Sequence, residues 1–483
     1  MRGTINSPDP YLENSVVAFS VDANIYEPLV TLDRNLKITP VLAQEWRNPD
    51  DVTWVLSLRP GVRFHDGTAF TAEDARASLE WARDESKSAL SDALSIIDRI
   101  EAPGRLELKI TTRAPHSSLL NNLTEILILP ARYLAGRHSA SNFAPGTGPY
   151  VVRSWKPGAY VSLERNPQYW GGSPEIEFVR FSSVPQLQDR INGLKTGEFD
   201  ILPQLEPAVV HDPAVAKSEK IRVTSQPGVG VIYLGMDLQR KKSPHVEAAA
   251  NPFMDVRVRK ALEYAINERH IVRDILDGFA SEAPEMVAPT IFGFNPKIER
   301  PDFNPDEARV LLTEAGYANG FSVRFDFTRD RYRNDQEIGV SIASDLEKIG
   351  IHVQKNPLSR NQLFDLLETQ DTSFYMVGWF LTNGDATNLF DYLIHSRDQA
   401  HGYGSENVGG YSNSEMDHLI ETAAAITDPI ERADALRRMM KTTMDDLPYI
   451  PLHTEFSVCA ASTALDWQPR ADEYIFVKEI HWK

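Results

Sequence analysis

The sequence predicts an α/β protein of more than one domain, and three observations carry that prediction. The chain has 483 residues, more than one hydrophobic core usually supports, so two or three domains are expected. From about residue 250 onward, apolar patterns of period two and of period 3.6 take turns, the mark of strands alternating with helices. The first third is instead rich in short strands and turns, which implies a part of the molecule built differently.

Taken in order, Trp54-Val55-Leu56-Ser57-Leu58-Arg59 alternates apolar and polar and predicts a half-buried strand. Pro60-Gly61 and Asp66-Gly67 punctuate it as turns. Thr71 opens a helix by capping amides near Asp74, with Ala75, Leu79 and Ala82 on one face. Farther along, Val258, Ala261, Leu262, Ala265 and Ile266 form a helical stripe. Asn304-Pro305 is a cap followed by a first-turn proline; Ala308, Leu311, Leu312 and Ala315 make the inward face, and Gly316 closes the helix. Phe321 to Phe327 is a strand by strict alternation. The next helix turns Ile338, Ile342, Leu346 and Ile349 inward and stops at Gly350. Ile351 to Val353 is a short strand, Gln362 to Leu367 a helix, and Phe374 to Trp379 another strand. Crossovers of this length return each strand in the same direction, so parallel pairing is predicted.

Composition excludes several functions. The formal net charge of -18, with no compensating Lys/Arg stripe, disfavours nucleic acid and anionic lipid. Apolar runs such as Ile126 to Leu129 fall far short of a membrane span. The single cysteine, Cys459, rules out a disulfide framework and a four-cysteine zinc site, and its apolar neighbours predict a buried small hydrophobe. No GxSxG elbow, HExxH helix or Gly-rich nucleotide fingerprint occurs, and Gly228-Val229-Gly230 lacks the third glycine. The histidines are scattered; His395 and His401 flank a loop, a poor metal clamp without further ligands. Neither a catalytic residue, a metal site nor a cofactor is expected. Met1-Arg2-Gly3 carries no export signal or lipobox, so either the protein is cytoplasmic or a signal has been removed.

In open parallel sheets, ligands sit beyond the carboxyl ends of the strands. The residues just past two such ends are Thr328-Arg329-Asp330-Arg331-Tyr332-Arg333 and Phe380-Leu381-Thr382-Asn383-Gly384-Asp385. Three arginines facing a polar turn could cradle an acidic group, because the guanidinium fork binds a carboxylate at two points. A solvated loop with internal ion pairs, Arg329 to Asp326 for instance, is the competing reading.

Several segments, in order, resemble the extracellular solute-binding proteins of the dipeptide, oligopeptide and nickel importer type (bacterial solute-binding protein family 5). They are Ala43 to Trp46 with Trp54 to Gly67 and Ala72 to Asp74, then Gly146 to Tyr150, Arg165 to Trp170, Val258 to Ile266, Asn304 to Gly316 and Pro448 to Leu452. The resemblance covers nearly the whole chain. It implies the class II-like periplasmic-binding-protein fold, with two α/β lobes joined by a hinge and an extra small inserted domain. The implied partition is a discontinuous lobe of residues 1–30, 150–233 and 453–483, an inserted domain of 31–149, and a second lobe of 234–452. Hinge strands are expected near Val231 to Leu234 and near Pro451 to Phe456.

Functionally, the resemblance implies the substrate-binding component of an ABC importer, not an enzyme. A periplasmic or extracellular monomer, with or without a lipid anchor, would close two lobes around a small solute and deliver it to a membrane permease. The Trp54 to Gly67 block and the Gly146 to Pro149 crossover read as scaffold, with His65 as a turn hydrogen-bonder. In the peptide binders a Trp at the end of the late strand is followed three positions on by an Asp that pairs with the peptide ammonium. Here that Trp is Trp379 and the third position is the uncharged Thr382; Asn383, Gly384 and Asp385 continue the turn. The arginine that accepts the peptide carboxylate aligns with Arg329, with Arg331 or Arg333 as helpers. Ser15, Val16 and Val17, in the segment Asn14 to Phe19, align with residues that contact ligand backbone, an internal strand being the alternative. Tyr26 and Trp379 are candidate flat walls, with core packing the competing role. Two ligand classes stay open: a peptide-like solute whose amine meets Asp385, or an anionic non-peptide such as an opine, sugar conjugate or organic acid. A hydrolase on the same scaffold, or an adhesion or chaperone-like module, are the readings from other classes.

Overall fold

The computed structural model describes residues 1–483 except 2, 4, 5, 14, 87, 136–141 and 206, and only the backbone of 207, 208 and 214. The chain divides into two compact units, Met1–Gln226 with Ser457–Lys483, and Pro227–Phe456. Each passage between units falls inside a long strand, one earlier than the expected boundary at 233 and the other later than that at 452.

In the first unit, α1 (Val16–Asp22) begins at Ser15, whose hydroxyl accepts the Ala18 amide. Strands β1 (Ala43–Asp50) and β2 (Thr53–Leu58), helix α2 (Ala72–Asp84), and strands β3 (Ile97–Gly104) and β4 (Glu107–Thr112) follow. They build an antiparallel sheet in the order β1-β2-β4-β3. Along β2 only Ser57 is not buried, so this strand is covered on both faces rather than half-buried. Ala75, Leu79 and Ala82 of α2 are fully buried, as their spacing predicts. The Asp74 carboxylate closes the helix start by accepting the Thr71 N–H and hydroxyl, both at 2.9 Å. A second sheet joins β5 (Tyr150–Lys156), β6 (Tyr160–Arg165) and β7 (Phe178–Ser182).

The sequence blocks that carry the resemblance meet one another in this unit. His65 accepts the Gly146 N–H through Nδ1 at 3.1 Å and donates from Nε2 to the Gly148 carbonyl at 3.0 Å. Burial lowers its pKa, which fits this neutral tautomer. Tyr169 and Trp170 both donate to the buried Glu27 carboxylate, at 2.5 and 2.7 Å, and Arg59 lies 4.4 Å over the Trp170 ring. These contacts tie the blocks to one another, as a scaffold reading expects.

The second unit contains most of β8 (Ile221–Met236), then α3 (Val256–Ala265), α4 (Pro305–Glu314), β9 (Ser322–Thr328), α5 (Asp335–Lys348), β10 (His352–Leu358), α6 (Arg360–Glu368), β11 (Phe374–Phe380), α7 (Pro429–Asp446) and the start of β12 (Tyr449–Ser462). As expected, β9 runs parallel to both β10 and β11. The sheet as a whole is mixed, because β11 pairs antiparallel with β8, from Gly230 opposite Phe380 to Met236 opposite Phe374. Asn304 caps α4 with Pro305 in the first turn, and Gly316 and Gly350 take φ values of +88° and +93° just past α4 and α5. Phe325, Phe327, Phe374 and the inner faces of α3 and α5 form the core. Cys459, on β12, is buried. No helix among the described residues is long and apolar enough to cross a membrane.

Candidate functional site

Parallel pairing brings the carboxyl ends of β9, β10 and β11 to one edge of the second unit. Arg329 follows β9 directly, its N–H donating to the Leu358 carbonyl at 3.0 Å. Its exposed guanidinium has no hydrogen-bond or ion-pair partner among the described residues. The expected pairing with Asp326 does not occur. Asp326 is fully buried and bound by Arg324, Asn356 and Thr372, at 2.8, 2.6 and 2.7 Å. Arg324 lies two residues away and therefore on the same face of the strand, whereas Arg329 lies three away and past its end.

The loop after Arg329 is pinned by the first residue of α5. The buried Asp335 carboxylate accepts the N–H groups of Arg331 and Tyr332 at 3.0 and 3.1 Å. The Arg331 guanidinium lies 5.2 Å from the Tyr332 ring centre and 4.8 Å from that of Phe364 on α6. Arg333 turns away, donating to the Phe456 carbonyl at 2.7 Å while its N–H meets Glu455. Tyr332 stacks on Phe380, which is 44% exposed, with the rings 6.2 Å apart. Sequence reasoning passed over Tyr332, Phe364 and Phe380. Tyr332 could have been found by its place between two arginines; Phe364 reads as an ordinary helix residue.

On β11 and beyond, Trp379 is half-buried, and its indole N–H is buried with no acceptor among the described residues. Thr382 is half-buried, with no partner for its hydroxyl among the described residues. Asn383 accepts the Asp385 N–H at 3.3 Å, and Gly384, at φ +74°, makes the turn. Asp385 corrects an expectation. It is 1% exposed, and its carboxylate accepts from Arg432 on α7 and from the Thr387 N–H, at 2.7 and 2.9 Å. Both bonds fall on Oδ1, so this carboxylate holds the turn together with its charge already paired inside the unit. The neighbouring Asp391 is pushed up to about 7, first by burial and then by the charge of Asp385.

The early residues also differ from expectation. Ser15 is a helix cap and Val16 and Val17 form the first turn of α1, partly buried against the first unit's core, so neither a strand nor an extended ligand-contacting segment exists there. Asn14 lies outside the described residues. Tyr26 is 0% exposed in that core, and its hydroxyl accepts the Ala144 N–H at 3.0 Å, so packing is its role. Near His395 and His401, as elsewhere among the described residues, no group of His, Cys, Asp or Glu is placed to hold a metal.

Comparison with known proteins agrees with this architecture. The family profile described as bacterial extracellular solute-binding proteins, family 5 Middle, matches residues 37–401. The chain is 28% identical over 475 residues to the glutathione-binding protein GsiB of Pectobacterium atrosepticum, covering 96% of this chain and 89% of that protein. Among solved structures, the periplasmic binding protein DppA of Helicobacter pylori, in complex with the peptide STSA, superposes with a TM-score of 0.80. It is 25% identical, with 100% of this chain and 97% of that one covered. The binding protein AgaA of Agrobacterium tumefaciens R10, in complex with agropinic acid, shares the fold at a TM-score of 0.79 and 24% identity, covering 99% and 96% of the two chains. The chain belongs to the bacterial extracellular solute-binding proteins of family 5 and is the substrate-binding component of an ABC importer.

Proposed function

We propose that the importer's cargo is a small acidic, peptide-like solute whose carboxylate is received by Arg329. The observation that carries this reading is an exposed guanidinium, without a partner among the described residues, at the tip of a parallel strand. Trp379, at the end of the neighbouring parallel strand, and Thr382, just past it, carry an indole N–H and a hydroxyl with no acceptor among the described residues. Relatives named for glutathione and solved with a peptide favour the peptide-like class. The solute is bound without a cofactor and without chemical change, by a monomer that passes it to a membrane permease.

A second reading is an anionic solute that is not a peptide. The Asp385 pairing favours it, because the turn then offers no carboxylate to an ammonium group. Calorimetric titration with glutathione, free dipeptides, N-acetylated dipeptides and acidic sugar conjugates separates the two. Micromolar binding of glutathione or of a dipeptide supports the first. Binding confined to sugar conjugates or other non-peptide acids moves the assignment to the second. Release of a cleaved product would sink both.

A further inference from the structure

We infer that the loop after β9 contains a second acid-binding point, made by Arg331 and Tyr332, so that the solute carries two acidic groups. This rests on the reading of Arg329 given above and narrows it. A phenolic hydroxyl has two lone pairs and one hydrogen. The Tyr332 oxygen accepts from Arg331 Nε at 2.8 Å and from the Gly378 N–H at 2.9 Å. Both lone pairs are therefore used, and the hydroxyl hydrogen has no acceptor among the described residues.

Arg331 is in a matching condition. Its Nε is spent on Tyr332, its guanidinium carbon lies over the Tyr332 and Phe364 rings at 5.2 and 4.8 Å from their centres, and its two terminal nitrogens have no partner among the described residues. A guanidinium held between two rings and one hydrogen bond is positioned in advance, with its terminal N–H groups left to bond a ligand. The nearby carboxylates are engaged: Asp335 with the loop amides, Glu455 with the Arg333 N–H, and Asp330 with the Arg360 N–H. What remains is a set of donors, the terminal nitrogens of Arg331 and the Tyr332 hydroxyl, with no acceptor among the described residues. Nε and the hydroxyl oxygen are 2.8 Å apart, so one carboxylate can take a terminal N–H on one oxygen and the Tyr332 hydrogen on the other. Arg329 is two residues away, within reach of a solute only a few bonds long.

The test is calorimetry with glutathione and its two mono-amides, each lacking one carboxylate, on the wild type and on R329Q, R331Q and Y332F. Unfolding midpoints confirm that each variant is folded, and R331K, which keeps charge without the fork, replaces R331Q if that variant fails. The expected result is wild-type binding of each mono-amide about 10- to 100-fold weaker than glutathione. In R331Q one mono-amide then binds as well as glutathione, and Y332F shifts the same ratio in the same direction. Wild-type binding of just one mono-amide as tightly as glutathione overturns this inference, and equal binding of both overturns the assignment of Arg329 as well. With at least one mono-amide weakened, unchanged discrimination in R331Q when R329Q loses binding also overturns this inference, and the assignment of Arg329 stands. R329Q binding like wild type, or no probe binding at all, overturns that assignment and this inference with it.

Discussion

Arg432 on α7 and Asp385 in the turn after β11 form a buried ion pair at 2.7 Å, and the same arginine nitrogen reaches the Thr387 hydroxyl at 2.7 Å. Asp385 stands where sequence comparison invites an ammonium anchor, yet its charge is spent inside the second unit. Removing one member of a buried pair leaves the other uncompensated, at a cost of about 3–5 kcal/mol. Asp385→Asn is therefore expected to lower unfolding stability by about that amount, somewhat less if Asp391 takes over Arg432. Affinity for an amine-bearing peptide, per folded molecule, is expected to stay unchanged. Urea unfolding and calorimetry check the two halves. A variant of full stability that has lost only amine-bearing ligands would restore Asp385 as the anchor.

Arg329→Gln is expected to behave in the opposite way. The side chain is exposed and has no partner among the described residues, so its loss should alter stability by no more than about 0.5 kcal/mol. A carboxylate-bearing solute should bind roughly 10- to 100-fold more weakly, the value of a charge-assisted contact. Thermal unfolding and titration with glutathione provide both numbers. Lost stability with retained binding would make Arg329 a structural residue.

Stability should also depend on pH through Glu285. This residue is fully buried, and both of its oxygens accept the Asn295 N–H at 3.1 Å. Burial pushes its pKa up from 4.5 to about 8, and the bond from Asn295 and the charge of Arg437 offset this only in part. Between those values the folded protein holds a proton that the unfolded chain has released. The native state thus loses stability as pH rises from 4.5 to 8, and the penalty is constant above that. Asp391 adds a decline of the same sign up to about pH 7. His453 acts on the acid side: buried, with neither ring nitrogen partnered among the described residues, it is lowered to about 3, so stability falls as pH drops from 6.5 toward 3. Glu285→Gln should raise the unfolding midpoint at pH 9, by a few kcal/mol in free energy, and change it little at pH 4.5. An equal gain at both pH values would show that the carboxyl's charge is not the cause.

What the sequence reveals, and what it withholds, follows from the range of the interactions. Elements whose signals lie within about ten residues were legible. Asn304-Pro305 with Gly316, and the alternation from Phe321 to Phe327, mark α4 and β9 to within a residue or two. The Arg324–Asp326 pair was legible in principle too, since period two puts i and i+2 on one face. The fate of Asp385 was not, because its partner is 47 residues away on a helix that nothing local connects to the turn. Helix α1 was missed for a similar reason. Val16-Val17 favours a strand by propensity, while the helix depends on the Ser15 cap and on contacts such as Phe19 with Tyr474, far along the chain. The donors of Tyr332 and Arg331 depend on Gly378 and Phe364, which come from separate strands and helices.

Two glycines of the first unit, Gly146 in the crossover and Gly67 in a turn, supply the last prediction. A Cβ added to Gly146 would lie 1.9 Å from the Ile25 carbonyl oxygen, a backbone atom that cannot rotate away. Gly146 cannot retreat either, because its N–H and carbonyl are both bonded to His65, at 3.1 and 2.8 Å. Gly67, by contrast, has nothing within 4 Å of its added Cβ, and only its φ of +83° resists a side chain. Gly146→Ala should therefore cost about 2–3 kcal/mol or more through overpacking, and Gly67→Ala about 1 kcal/mol through backbone strain. Neither residue belongs to the unit that holds Arg329, so at temperatures where the variants are folded, both should bind solute like the wild type. Chemical denaturation of the two variants side by side tests the order. If Gly67→Ala proved the more damaging, the close approach of the crossover to Ile25 would not be what fixes this part of the fold.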